Sequence, residues 1–185
     1  GGFNPNIPKW KMDKKLCPLL PMMQIGIHFI DSIQYMLGDI ESLYCMGVSH
    51  SMPNDVVDST VANLRLGNNI VGVMNCHYII PSIFDIKIFG TKGTIYIDNG
   101  EFEVKSVVDG KTIVEKKTID ESLNKDSAYY FEIADFAEKV LKNEQPEVTG
   151  TIGVRDLAAI EAMAISVEEK REVRIDEVFN PSLIK

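Results

Sequence analysis

Three tight-turn signals lie between runs of strand-forming residues, and this pattern constrains the fold more than any other feature of the sequence. The signals are the segment 67–69 (Gly-Asn-Asn) and the pairs Asn99-Gly100 and Asp109-Gly110. Their residues tolerate the positive φ angles of two-residue hairpin turns. Consecutive strands joined by such turns pair antiparallel. The sequence therefore predicts an antiparallel meander with strands near residues 40–49, 56–66, 70–80, 83–89, 94–98, 103–108 and 112–117.

Helical periodicity precedes and follows these strands. The segment 22–37 carries apolar residues at helical spacing, namely Ile27, Ile30, Ile33 and Leu37, and Gly38 is a typical helix stop. Ser127 and either Thr149 or Thr151 are N-cap candidates for two further helices. We therefore expect one helix before the strands and two after them.

Helices on both sides of a run of antiparallel strands are typical of α+β folds. We predict an open, mainly antiparallel sheet with helices packed on one face. A chain of 185 residues is long enough for one domain with a substantial hydrophobic core and too short for two domains of ordinary size. Residues 1–185 are therefore expected to form a single domain. The run Leu43, Tyr44, Cys45 and Met46 is apolar on both strand faces. A sheet covered on one side alternates more cleanly, so we expect the second face to be covered too, with another subunit as one candidate.

The charge of the chain argues against two classes of partner. The formal net charge is −8, and the densest basic segment, residues 9–15, is short and contains Asp13. Nucleic acids and anionic membranes attract basic patches, so neither is expected as a partner. No apolar stretch approaches the length of a membrane span.

The cysteines indicate neither a disulfide framework nor a metal site. Cys17, Cys45 and Cys76 are odd in number and far apart, with no paired Cys or His spacing around them. Cys45 and Cys76 lie in apolar runs, which is typical of buried, reduced core residues. We therefore expect a cytoplasmic protein without a metal.

One helix carries the residues with the clearest chemical potential. Gln24, His28, Asp31 and Tyr35 are spaced i, i+4, i+7 and i+11, which aligns four polar side chains if the helix extends back to Gln24. A carboxylate beside an imidazole fixes its tautomer and raises its basicity. Such a pair can act as a general base toward a hydroxyl. The same spacing is also typical of a structural hydrogen bond or a solvated helix face.

This helix closely resembles a motif of the Gfo/Idh/MocA oxidoreductase family, in which an Asp, a Gly, a His and a second Asp open a helix that ends in Tyr-Leu-Gly. Here residues 24–39 read QIGIHFIDSIQYMLGD. The resemblance continues in order along nearly the whole chain, at residues 10–13 (WKMD), 58–60 (DST), 66–68 (LGN), 88–95 (IFGTKGTI) and 147–173. It identifies the chain as similar to the C-terminal, substrate-side domain of that family.

The resemblance implies roles for five residues. The family's acid/base histidine corresponds to His28, and the second Asp corresponds to Asp31, which is expected to orient His28 or cap nearby backbone. The carboxylate that the family has four residues before the His is replaced here by Gln24. A glutamine can hydrogen-bond a sugar hydroxyl but cannot accept its proton. Trp10 and Lys11 are expected to help close the substrate pocket.

The resemblance also implies the cofactor and partners. The parent protein is expected to be an NAD- or NADP-dependent oxidoreductase acting on a sugar, polyol or related hydroxy compound. The N-terminal dinucleotide-binding Rossmann domain is expected to be absent from this segment, because the sequence contains neither a G-x-G-x-x-G fingerprint nor the family's Glu-Lys-Pro motif. The segment alone is then expected to bind no cofactor and to be inactive. Its expected partners are that domain, a small-molecule substrate and a second copy joined through the sheet face.

A second hypothesis is a non-catalytic ligand-sensing or oligomerisation module derived from the same family. It retains the fold and loses the chemistry. Gln24, in place of the acid, is the residue that favours it.

Overall fold

The computed structural model describes residues 6–81, 83–98, 101–118 and 125–180. The chain divides into two compact units, one of residues 1–80 with 148–185 and one of residues 81–147. In chain order the main elements are a 3₁₀ turn (Lys9–Met12), a π-helical turn (Met22–Gly26), α1 (Ile27–Leu37), β1 (Ile40–Val48), β2 (Ser59–Leu66), β3 (Ile70–His77), β4 (Asp85–Gly90), β5 (Gly93–Asp98), β6 (Glu101–Val108), β7 (Lys111–Thr118), α2 (Lys125–Lys142), α3 (Gly150–Glu169) and β8 (Val173–Arg174).

The first unit is built on a four-stranded antiparallel sheet with the order β3-β2-β1-β8. The β2–β3 hairpin turns at Asn68 and Asn69, whose φ angles are 59° and 61°. Positive φ at both central residues is what a turn matched to the twist of the strands requires. The hairpin predicted at this position is therefore confirmed.

Helix α3 packs on one face of this sheet, against β1 and β8. Its buried residues include three alanines, which let the helix approach the strands closely: Ala158, Ala159 and Ala162. They share one hydrophobic core with inward-facing strand residues such as Leu43, Cys45, Leu64 and Met74. Helices packed on an antiparallel sheet confirm the predicted α+β class.

Ser166 links the end of α3 to the sheet. Its hydroxyl donates a hydrogen bond to the carbonyl of Arg171 at 2.6 Å and accepts one from the backbone N–H of Cys45 at 2.8 Å. The side chain is fully buried, so both bonds form away from water, where losing a partner is costly. Ser166 thereby fixes the height of α3 along β1.

The second unit contains a separate four-stranded antiparallel sheet with the order β4-β5-β6-β7. Asp109 and Gly110 have φ angles of 50° and 75° between β6 and β7, which confirms the predicted hairpin. The predicted Asn99-Gly100 turn lies outside the described residues. The strands predicted as one open sheet are thus divided between two sheets, and the assignment of the whole chain to one domain stays a prediction.

The helix boundaries differ slightly from those predicted. Helix α2 begins at Lys125, two residues before the proposed cap at Ser127. Helix α3 begins directly after Thr149, one of the two N-cap candidates, although the Thr149 side chain makes no capping hydrogen bond. No helix in the described ranges is long and apolar enough to cross a membrane.

Cys17, Cys45 and Cys76 are buried and unpaired, so the prediction that Cys45 and Cys76 are core residues is confirmed. Burial raises the pKa of the Cys45 thiol to about 12. A thiol with so high a pKa carries almost no reactive thiolate at neutral pH. These cysteines are packing residues.

A buried carboxylate organises the loop between β1 and β2. One oxygen of Asp58 accepts hydrogen bonds from the backbone N–H groups of His50, Ser51 and Met52 at 3.0, 2.7 and 3.0 Å, and the other accepts one from the Ser59 hydroxyl at 3.1 Å. Burial raises the pKa of Asp58, but these four hydrogen bonds outweigh it, so the pKa lies below its ordinary value of 3.8. The ionised carboxylate therefore stabilises the folded loop.

We predict that Asp58→Asn lowers the free energy of unfolding by about 1.5–3 kcal/mol near neutral pH, because an amide nitrogen replaces a charged acceptor. The Asp58 contribution is present above its ordinary pKa and is lost as pH falls through the lower pKa of the folded state. Wild type should therefore lose more stability than the variant on acidification below about pH 4. Urea denaturation at several pH values measures both effects.

The matched control is Asp55→Asn, a neighbouring exposed position with a φ of 55° that asparagine tolerates. It should change stability by less than about 0.5 kcal/mol. Equal stability of the two variants would contradict the role assigned to Asp58.

Candidate functional site

The segment that carries Gln24 and His28 starts with a π-helical turn and continues as α1. The backbone N–H of Ile27 donates to the carbonyl of Met22, five residues earlier. Such a turn is wider than an α-helical one. Gln24 and His28 therefore do not have the i, i+4 alignment that continuous α-helix predicts. They lie on the same helical segment, with Gln24 half-buried and His28 exposed.

Gly26 explains how the π turn packs. A Cβ at this position would lie 2.7 Å from the sulfur of Met22 and 3.3 Å from the terminal methyl of Met74. Both distances are shorter than ordinary van der Waals contact, and both methionines are buried. The absence of a side chain at Gly26 therefore lets the turn pack against β3.

His28 lies in the first turn of α1 with its side chain exposed. Its carbonyl accepts a hydrogen bond from the Ser32 hydroxyl at 2.8 Å. Among the described residues, no hydrogen bond or ion pair joins the His28 imidazole to Asp31. The imidazole is thus open to a ligand. The expectation that Asp31 orients His28 stays a prediction, because no such contact is present among the described residues.

Asp31 instead lies near a residue that the sequence did not single out, Asp156 on α3. Burial raises the pKa of Asp156, and the negative charge of Asp31 adds to this rise. Asp156 Oδ1 accepts a hydrogen bond from Gln34 Nε2 at 2.6 Å, and Gln34 Oε1 accepts one from the backbone N–H of Ile40 at 2.9 Å. This buried polar cluster joins α1, α3 and the start of β1.

The pattern did contain a signal for this cluster. Gln34 occupies the helical face that otherwise carries Ile30 and Leu37, and Asp156 shares a face with Ala159 and Met163. A polar residue at a core-facing position requires a buried partner. Sequence alone does not say which residue that partner is, because Gln34 and Asp156 are 122 positions apart.

Trp10 and Lys11 lie on the 3₁₀ turn before the π turn. Lys11 Nζ is 5.5 Å from the ring centroid of Trp10 and 5.8 Å from that of Tyr78, within the range of cation–π attraction. The turn itself is held by Asn54, whose side-chain amide donates to the Met12 carbonyl at 2.9 Å. The structure therefore groups Trp10 and Lys11 with the end of β3.

The predicted residues fall into two groups. Gln24, His28 and Asp31 share one helical segment, whereas Trp10 and Lys11 share the 3₁₀ turn. No hydrogen bond, ion pair or cation–π contact connects the two groups in the part of the chain that is described. Chemically, the arrangement presents an imidazole that can exchange a proton and an amide that can bind a hydroxyl.

The sequence matches a known protein family along most of its length. The model of the oxidoreductase family, C-terminal alpha/beta domain, matches residues 1–175. The myo-inositol 2-dehydrogenase of Thermotoga maritima is 29% identical over 177 residues, covering 85% of this chain and 49% of that protein. The chain therefore spans about half the length of this curated relative.

Solved structures show the same fold at low sequence identity. An NAD-binding oxidoreductase from Klebsiella pneumoniae has a TM-score of 0.80 and 17% identity, over 94% of this chain and 56% of its own. A levoglucosan dehydrogenase in complex with NADH and L-sorbose has a TM-score of 0.82 and 16% identity, over 93% of this chain and 54% of its own.

We predict that Gly26→Ala destabilises the first unit by about 1–3 kcal/mol, because the added methyl overpacks the contact with Met22 and Met74. Gly153→Ala on α3 is the matched control, since nothing lies within 4 Å of its Cβ position. That variant should be stabilised by about 0.5–1 kcal/mol through helix propensity. Thermal unfolding of both variants measures the difference, and a stabilised Gly26→Ala would refute the packing argument.

Proposed function

The chain belongs to the Gfo/Idh/MocA oxidoreductase family as its C-terminal α/β domain, and from this premise we propose that it forms the substrate-side wall of an NAD- or NADP-dependent dehydrogenase. The substrate proposed is a sugar, a polyol or a related hydroxy compound. Support comes from the similarity to the myo-inositol 2-dehydrogenase of Thermotoga maritima and from the fold shared with the levoglucosan dehydrogenase.

His28 is the proposed proton-transfer group. The observation that carries this proposal is the exposed imidazole in the first turn of α1, free of a contact with Asp31. An imidazole can take the proton of a substrate hydroxyl during oxidation and return it in the reverse direction. Gln24 supports the substrate by hydrogen bonding, because its amide both donates and accepts. Trp10 and Lys11 are the proposed residues that close the pocket.

Gly90 and Gly93 do not form a dinucleotide-binding loop. Gly90 and Gly93 pair with each other at the end of the β4–β5 hairpin, whereas dinucleotides bind a glycine loop between a strand and a helix. We assign the cofactor to an N-terminal Rossmann domain of the parent protein. The role proposed for this chain is confined to binding the substrate and moving its proton.

A non-catalytic module is the second candidate, and Gln24 is the residue that favours it. A carboxylate next to the histidine can accept a proton, whereas glutamine cannot. The two candidates differ in whether His28 affects turnover.

We predict that His28→Ala in the full-length protein lowers kcat for NAD(P)-linked oxidation of polyols by about 10²–10⁴-fold, the range of acid–base catalysis. The control is His50→Ala, at an exposed histidine whose backbone N–H donates to Asp58, a bond that alanine retains. That variant should keep wild-type turnover. Unchanged kcat in His28→Ala would remove His28 from the mechanism, and no turnover in the wild type would favour the non-catalytic module.

The outer face of the first sheet is the proposed surface for a second copy. This outer face comprises residues that alternate with the core positions and remain largely exposed, namely Met46 (54%), Val48 (62%), Val71 (72%) and Val73 (68%). These apolar residues lie on β1 and β3, on either side of β2, and exposed apolar surface on a sheet face is typical of a protein interface. The proposed assembly is therefore a homodimer, or a larger assembly, joined through this face.

Val73→Lys tests this assembly. A charge placed on the outer face should weaken self-association by on the order of 10- to 100-fold, because it must be desolvated on contact. Val107→Lys is the control, since Val107 is 62% exposed on β6 of the other sheet. Light scattering should show wild type and Val107→Lys as oligomers and Val73→Lys as a monomer. A monomeric wild type at high concentration would refute the proposal.

The three buried, unpaired cysteines support a cytoplasmic location as part of the proposal. Proteins exported to oxidising compartments commonly pair their cysteines, whereas cytosolic proteins keep them reduced. Cys17, Cys45 and Cys76 are all free.

A further inference from the structure

A solvent-open cavity of about 620 Å³ lies at the 3₁₀ turn of the first unit. The residues that line it differ from those already proposed to bind substrate or to move its proton, and they include Lys9, Asp13, Lys14, Lys15 and Asn54. Small-molecule sites commonly have volumes of about 300–1,000 Å³. The cavity is therefore large enough for a ligand of the size of a sugar.

The lining of this cavity is positively charged, although the chain as a whole is acidic. Three lysines and one aspartate line it, whereas the formal net charge of the chain is −8. In the described part of the chain, Lys9, Lys14 and Lys15 make no ion pair. Positive charges without partners at one cavity focus the electrostatic potential there. The cavity therefore favours a negatively charged ligand.

Asp13 uses its oxygens to hold the backbone of the lysine segment. Asp13 Oδ1 accepts a hydrogen bond from the backbone N–H of Lys15 at 2.9 Å. The Asp13 carbonyl accepts two more, from the backbone N–H groups of Leu16 and Cys17 at 3.0 and 2.8 Å. Asp13 thereby closes the turn that carries Lys14 and Lys15. A turn that is closed before binding reduces the conformational entropy lost when a ligand is bound.

Core contacts anchor both ends of this segment. Cys17, directly after the turn, is fully buried in a small hydrophobic cluster with Met52 and Val56. Met12, directly before the turn, packs against the same cluster. The side-chain amide of Asn54 donates to the Met12 carbonyl at 2.9 Å, which links the segment to the loop between β1 and β2. The lysine side chains therefore extend from a backbone that is fixed on both sides.

We propose that this cavity binds the phosphate group of a small phosphorylated compound, with Lys9, Lys14 and Lys15 as the phosphate ligands. Each lysine ammonium group combines a full charge with three hydrogen-bond donors. Three lysines against one aspartate leave two positive charges in the lining, which match the charge of about −1.5 to −2 that a phosphate monoester carries near neutral pH. A carboxylate carries only one charge. The binding site does not rest on the function proposed for His28.

Isothermal titration calorimetry of the full-length protein tests the site. Saturating NADH is present throughout, so that phosphate sites of the proposed Rossmann domain are occupied. The probes are glucose 6-phosphate, inorganic phosphate and glucose. We expect glucose 6-phosphate to bind at least about 10-fold more tightly than glucose, because only the phosphate can pair with the lysines. Inorganic phosphate should compete with it and bind more weakly, since it lacks the sugar that occupies the rest of the cavity.

Two double variants and a control locate the binding. Lys14→Gln with Lys15→Gln should weaken glucose 6-phosphate binding by about 10-fold or more, because both charges are removed. Lys14→Arg with Lys15→Arg keeps both charges and should stay within about 3-fold of wild type. The control is Lys111→Gln with Lys117→Gln, at two exposed positions of β7 in the second unit. It changes the net charge equally and should leave the affinity unchanged.

The proposal is refuted if glucose 6-phosphate binds no more tightly than glucose. It is also refuted if the control loses as much affinity as Lys14→Gln with Lys15→Gln, because the net charge of the protein would then explain the effect. Inorganic phosphate that binds as tightly as glucose 6-phosphate would identify the ligand as the free anion and overturn the phosphorylated compound. A wild type without NAD(P)-linked turnover would refute the proposed function and leave the binding result intact.

Discussion

The packing of α3 on β1 is the contact on which the first unit depends. Three buried alanines bring the helix close to the strands, and such close approach maximises the apolar surface removed from water. Ser166 then fixes the helix along β1 through two buried hydrogen bonds. The sheet, the helix and the chain that follows Ser166 are therefore positioned by one contact.

The same helix positions the proposed active-site segment. Near its N-terminus, Asp156 accepts a hydrogen bond from Gln34 of α1, and Gln34 in turn accepts one from the backbone N–H of Ile40 at the start of β1. These hydrogen bonds satisfy polar groups inside an otherwise apolar contact. They therefore fix how α1 is placed along α3. The position of the helix that carries His28 is thus set by this buried cluster.

The two faces of the first sheet differ in what covers them. One face packs in the hydrophobic core of the chain, and the outer face is exposed. Core positions on β1 and β3 alternate with the exposed apolar residues of the outer face. A period of two places alternate side chains on opposite faces, so one set of strands supplies both a core within the chain and an apolar surface directed away from it. Because both faces of β1 carry apolar residues, β1 is apolar at consecutive positions.

Local sequence determined the hairpins, the strand positions and the helix that carries Gln24, His28 and Asp31, because turn residues and hydrophobic period act over a few neighbouring residues. Tertiary structure alone decided the π turn at Gly26, the division of the strands into two sheets and the hydrogen bond between Gln34 and Asp156. These features depend on contacts between residues far apart in the chain, and no local pattern specifies which distant side chains meet.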